Sequence, residues 1–124
     1  MPSDGPIRVE DVMTTPLETI EPDATLEQAA QLMTKHDING LVVTASVEGI
    51  ITSTDIIRAV AEGKDTTELL VEDVMTEDVE TVTPDLYMEE VAAMMTTYGI
   101  KHLPVVDDDY VGMISSTDVA GYRS

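Results

Sequence analysis

Residues 49–56 read GIITSTDI, and residues 112–119 read GMISSTDV. The shared frame, Gly-x-Ile-x-Ser-Thr-Asp, recurs 63 positions apart. The duplication extends outward from there. VEDVMT stands at 9–14 and again at 71–76. At an offset of 62, Val9–Val43 pairs with Val71–Val105, with 17 identities in 35 pairs. One extra residue then enters the second copy near Asp107-Asp108-Asp109, where a turn absorbs it, and the offset becomes 63. The period is longer than a solenoid repeat and there are only two copies, so the chain reads as a pseudo-symmetric pair.

Each copy carries the same order of signals. VEDVM reads as one helical turn. Glu18-Thr19-Ile20 and Glu80-Thr81-Val82 read as brief strands, stopped by Pro22-Asp23 and Pro84-Asp85. Thr25-x-x-Gln28 fits a capping box, with Ser/Thr reaching forward and Gln reaching back. The second copy has Tyr87 at that place, which leaves the capping to Asp85. Leu26, Ala29, Ala30 and Met33 keep i, i+3, i+4, i+7 spacing, as do Met88, Val91, Ala92 and Met95, and each set marks one buried helical face. The apolar runs 41–43 and 49–51, like 103–106 and 111–114, read as hairpins turning at TASVE and DDDY. A last helix begins at Thr54-Asp55 or Thr117-Asp118. Residues 63–70, GKDTTELL, link the halves. The boundaries are 7–62 and 71–122. A unit of about 60 residues is marginal alone; two packed sheet to sheet would share a core and leave a cleft.

Composition bounds the function. The chain has 124 residues, 43% hydrophobic, with no Phe, Trp or Cys, so its core is aliphatic and thiol chemistry is excluded. No run of 18 apolar residues spans a membrane. The start, MPSDGPIRVED, lacks the pattern of a signal peptide, which points to a cytoplasmic protein. Acidic residues number 25 against 6 basic, a net charge of −19. That surface repels phosphate backbones and argues against direct nucleic-acid binding. It suits a folded protein in a salt-rich cytoplasm, where at 1 M the Debye length falls to about 3 Å.

At Gly49–Asp55 a strand gives way to a helix. Free amide N–H groups at such a start attract an anion or a hydroxyl-rich ligand. The glycine admits a close backbone neighbour, and the aspartate can accept from two adjacent hydroxyls, as on a ribose. One copy alone is explained by helix capping. Two copies, each after a Gly-apolar-Ile strand, favour a ligand.

The ordered set VEDVMT, ETI-PDATLEQAAQLM, INGLVV, GIITSTDI, with its second copy VEDVMT, ETVTPDLYMEEVAAMM, GIKHLPVVD, GMISSTDV, resembles the CBS domain. The resemblance covers residues 7 to 122 and is that of a stand-alone CBS pair, or Bateman module. It implies an α/β (α+β) fold of two tandem repeats, each roughly β-α-β-β-α, packed with pseudo-two-fold symmetry. It further implies a regulatory module, not an enzyme, binding AMP, ADP, ATP, S-adenosylmethionine or NAD in the cleft between repeats. The family aspartate that holds ribose maps to Asp55 and Asp118. The Ser/Thr three residues earlier maps to Thr52 and Ser115, with Thr54 and Thr117 alongside. The adenine environment maps to Thr14, Pro16 and Leu17 for the Asp118 site, and to Thr76, Asp78 and Val79 for the Asp55 site. The phosphate-facing position before the L-P-V-V strand maps to Lys101 and His102. Their first-copy counterparts, Asn39 and Gly40, are uncharged, so the expectation is a phosphorylated nucleotide at Asp118 and an empty, weaker or less charged site at Asp55. A homodimer and a regulated partner protein are also implied.

His102 adds charge at lower pH, since a free histidine titrates near about 6.5. Asp107–Asp109 lacks the Gly and terminal Glu of a calcium loop and reads as a polar turn. No metal site is expected. Met13 and Met75 are candidates for lining the cleft, since thioethers pack adaptably, with core packing as the default. The competing functions are a ligand-free dimerisation scaffold and, weakest, an enzyme.

Overall fold

The structure, a computed structural model, describes residues 6–15, 17–44, 49–77 and 79–123. In chain order its elements are α1 (Val9–Val12), β1 (Thr19–Ile20), α2 (Leu26–His36), β2 (Gly40–Val43), β3 (Gly49–Thr52) and α3 (Ser53–Ala61). They continue with α4 (Val71–Val74), β4 (Thr76–Glu77), α5 (Met88–Tyr98), β5 (His102–Asp107), β6 (Asp109–Ser115) and α6 (Ser116–Arg123). Residues 45–48 of the expected TASVE turn, and Pro16 and Asp78, lie outside the described residues.

The chain divides into two compact units. One is continuous, Glu18–Val79; the other joins the chain up to Leu17 to the chain from Glu80 onward. These units cut across the sequence copies. The first VEDVMT segment belongs with the second copy's strands, and the second VEDVMT segment with the first copy's.

In the continuous unit the strand order is β1-β2-β3-β4, with β1 parallel to β2 and the remaining neighbours antiparallel. Leu26, Ala29 and Met33 of α2 bury one face against Leu41, Val43 and Ile51, and Val71 of α4 closes this cluster with no exposed surface. Residues 63–70 are stitched to the start of α2: Leu26 N–H donates to Leu69 C=O at 3.0 Å and Glu27 N–H to Thr66 C=O at 3.0 Å. The α2 capping box forms as expected, Gln28 N–H donating to Thr25 Oγ1 at 3.1 Å and Thr25 N–H to Gln28 Oε1 at 2.9 Å. Thr25→Ala removes that acceptor and is expected to lower stability by about 1 kcal/mol, read by urea denaturation.

The second unit repeats the plan with reduced edges. β5 and β6 form an antiparallel hairpin closed at Asp107 and Asp109, with Asp108 at φ +67° and a bulge between Val105 and Val106. The second copy's extra residue lies in this bulged hairpin. The expected strand at 80–82 is a single parallel bridge, Val82 to Val105. The reason is Pro104. In the first copy Val42 N–H donates to Glu18 C=O at 3.3 Å; Pro104 stands at the matching place and has no N–H to give. Asp85 does not cap α5. Its carboxylate accepts from Thr83 Oγ1 at 2.6 Å, and the N-cap is Tyr87, whose N–H donates to Glu90 Oε1 at 3.3 Å. That Thr83 hydroxyl, and then Asp85's own backbone N–H, hold the Asp85 carboxyl below its ordinary range. Met88, Val91, Ala92 and Met95 pack on Leu103, Val105 and Ile114, with Val9 of α1 fully buried among them.

Candidate functional site

Each Gly-x-Ile strand lies under a crossing backbone. A Cβ placed on Gly49 would meet Thr76 O at 2.8 Å and Met75 Sδ at 3.1 Å. On Gly112 it would meet Thr14 O at 2.9 Å and Met13 Sδ at 3.0 Å. The close neighbour that each glycine admits is therefore the VEDVMT segment of the other copy. Thr14 exchanges both backbone hydrogen bonds with Met113, at 2.9 and 3.1 Å, and Thr76 pairs with Ile50. Met13 and Met75 pack against the cores of their units.

The strands run directly into capping boxes. Thr52 is the N-cap of α3. Asp55 Oδ2 accepts from Thr52 N–H at 2.8 Å and Oγ1–H at 3.0 Å, while Asp55 N–H donates to Thr52 Oγ1 at 3.4 Å. Ser115 and Asp118 repeat this at 2.8, 3.1 and 3.4 Å. Both aspartates are half-buried. One carboxylate oxygen holds the helix start, and the other is left over. Asp118 Oδ1 has no hydrogen-bond partner among the described residues. Asp55 Oδ1 faces Arg58 Nη1 at 3.8 Å.

The residues before the core strands are tied to the same helix starts. Ser116 N–H donates to Lys101 C=O at 2.9 Å, and Ser53 N–H to Asn39 C=O at 3.0 Å. His102 is the β-partner of Ser115, and Gly40 that of Thr52. Lys101 is exposed, as are Thr54 and Thr117 in the first turns. One unit thus gathers Thr14, Lys101, His102, Ser115, Thr117 and Asp118; the other gathers Thr76, Asn39, Thr52, Thr54 and Asp55. Leu17 and Val79, three residues beyond Thr14 and Thr76, are half-buried and not hydrogen-bonded to either aspartate.

Sequence reasoning missed Arg58. It was one of six basic residues, yet Asp-x-x-Arg at the start of a helix puts the guanidinium one turn from the carboxylate. With Asp55, Ala59, Glu62, Lys64 and Val74 it lines a depression of about 190 Å³. The matched position in the second copy is Gly121.

The family model of the CBS domain matches residues 9–62 and 71–124. The chain belongs to the CBS domain family. The L-aspartate semialdehyde sulfurtransferase of Methanocaldococcus jannaschii is 36% identical over 125 residues; the match takes in 96% of this chain and 24% of that enzyme, so this CBS pair spans about a quarter of that relative's length. A solved CBS domain pair, that of protein MJ0100 in complex with 5′-methylthioadenosine and S-adenosyl-L-methionine, is similar at TM-score 0.85 and 34% identity, covering 96% of this chain and 97% of that one. The hexameric CBS-CP12 protein from bloom-forming cyanobacteria is similar at TM-score 0.91 and 29% identity, covering 96% and 73%. Both matched spans begin at a VEDVMT segment, whereas the compact units divide after it, between Leu17 and Glu18 and between Val79 and Glu80. Among the described residues no helix is long and apolar enough to cross a membrane.

Proposed function

We propose that this CBS pair is a regulatory module that senses an adenosine-containing ligand, AMP, ADP or ATP first among them, and passes its occupancy to a partner protein. The observation that carries this reading is the divided role of Asp118. Its Oδ2 is engaged by Ser115, and its Oδ1 has no partner among the described residues. A carboxylate held still by its own helix cap is pre-organised to accept the two hydroxyls of a ribose, which reduces the ordering cost of binding. The complex of the MJ0100 pair with two adenosine compounds supports the same ligand class. Thr14 and Leu17 supply the adenine environment beside Asp118; Thr76 and Val79 supply it beside Asp55. Lys101, with His102 next to it, meets phosphate.

The two sites differ. Asn39 stands where Lys101 stands in the other copy, so the Asp118 site is the tighter one for a phosphorylated nucleotide. Lys101→Ala is expected to weaken ATP binding about tenfold, since a hydrogen bond to a charged group contributes about 1.5–3 kcal/mol. Asn39→Ala is expected to change it little. Isothermal titration of both variants decides; equal effects sink the asymmetry. S-adenosylmethionine or NAD in place of AMP or ATP is the alternative within the same ribose chemistry. A homodimer fits the module, and its location is the cytoplasm. A thermal-shift panel separates sensor from ligand-free scaffold, because a ligand that binds only the folded state raises Tm.

A further inference from the structure

We propose that Arg58 makes the Asp55 site selective for phosphorylated over unphosphorylated adenosine ligands. The inference rests on the ribose reading of the two aspartates given above. Three observations carry it. Arg58 Nη1 lies 3.8 Å from Asp55 Oδ1, the carboxylate oxygen that the helix cap leaves over. Arg58 and Lys64 line one depression with that aspartate, so two of the chain's six basic residues converge there. Gly121 holds the matching place after Asp118, so that site has no counterpart to Arg58 at this spacing.

The consequence follows from competition for one oxygen. A ribose diol on Asp55 displaces the guanidinium. An uncharged nucleoside gives Arg58 nothing in return, so the ion pair opposes its binding. A ligand with a phosphate offers the guanidinium a bidentate acceptor, the geometry that Arg matches best. Arg58 therefore opposes adenosine and favours AMP at the same site. The Arg58 side chain is 65% exposed and the Asp55 side chain 14%, so the arginine is free to swing while the carboxylate is not. Lys64, paired with Glu62 at 3.4 Å, is a second cation within the depression. At Asp118 no such exchange is needed, and Lys101 meets phosphate from the strand side.

The test uses the full chain with Asp118→Ala, which leaves Asp55 as the ribose site, and titrates adenosine and AMP by calorimetry. Arg58→Gln removes the charge and keeps helix propensity. It is expected to tighten adenosine about two- to fivefold, the range of an exposed ion pair, and to weaken AMP about fivefold, so the AMP-to-adenosine preference falls at least about tenfold. Arg58→Lys is expected to restore part of the AMP affinity. Conversely, Gly121→Arg in an Asp55→Ala chain is expected to raise the AMP-to-adenosine preference at Asp118 above what Lys101 alone gives; a Cβ on Gly121 meets nothing within 4 Å, so a side chain has room. Ratios unmoved by Arg58→Gln, or both ligands shifting in the same direction, overturn the assignment while leaving the ribose reading intact. Binding to wild type that vanishes entirely in Asp118→Ala overturns it too, because Asp55 is then no ligand site. Wild type binding neither compound overturns the ribose reading and this proposal with it.

Discussion

Asp118→Ala is expected to abolish saturable binding of AMP and ATP at its site, a loss of about a hundredfold or more. Two ribose hydroxyls donating to one fixed carboxylate contribute at least about 1.5 kcal/mol each, and every 1.4 kcal/mol is a factor of ten. The same substitution also removes the acceptor for Ser115 N–H and Oγ–H, so stability is expected to fall by about 1 kcal/mol, the usual size of a lost cap. The two effects separate by measurement. Titration calorimetry in high salt, well below the melting temperature, reads binding; urea denaturation reads the cap. Asp118→Asn keeps an amide oxygen for the cap and loses the charge, so it is expected to recover most of the stability and little of the affinity. Full affinity in Asp118→Ala, with only the stability reduced, makes the motif a helix cap, whereas wild type that binds none of the nucleotides moves the protein to the scaffold reading.

Gly49→Val and Gly112→Val are each expected to destabilise their unit by about 2–4 kcal/mol, the range of severe overpacking. The atoms that a Cβ would strike are backbone oxygens, Thr76 O at 2.8 Å and Thr14 O at 2.9 Å, and these cannot rotate away. Relief requires the whole VEDVMT segment to lift, which withdraws fully buried Val71 or Val9 from its core. Gly121→Ala is the control. It lies in α6 with open space around its Cβ, so alanine is expected to be neutral or stabilising by up to about 1 kcal/mol. Urea denaturation of the three variants gives the comparison, and a Gly49→Val chain as stable as wild type would mean that the segment does not pack over β3.

Much of this was legible because it is local. The 3.6-residue spacing of Leu26, Ala29 and Met33 reports one helical face without knowledge of what covers it, and Thr25-x-x-Gln28 closes within four residues. The second copy was harder. Asp85 was expected to cap α5, yet Thr83 two residues earlier competes for its carboxylate. The strand expected at 80–82 shrank to one bridge because Pro104, on a different strand, lacks the N–H that would extend it. Arg58 was visible only as a basic residue; its meaning depends on which oxygen of Asp55 the helix cap leaves over.

The sequence by itself determined that the chain is written twice, that each copy follows the CBS pattern and where each Ser/Thr-x-x-Asp motif enters a helix. It did so because repetition and capping are read along the chain. Only the tertiary structure decided which sheet each VEDVMT segment joins. Residues 9–14 and 71–76 are identical, so nothing in either segment distinguishes one receiving strand from the other. In the folded protein Val9 is buried with the second copy's core and Val71 with the first copy's. That exchange gives Gly49 and Gly112 their close neighbours and sets Thr14 on the strand that leads to Asp118.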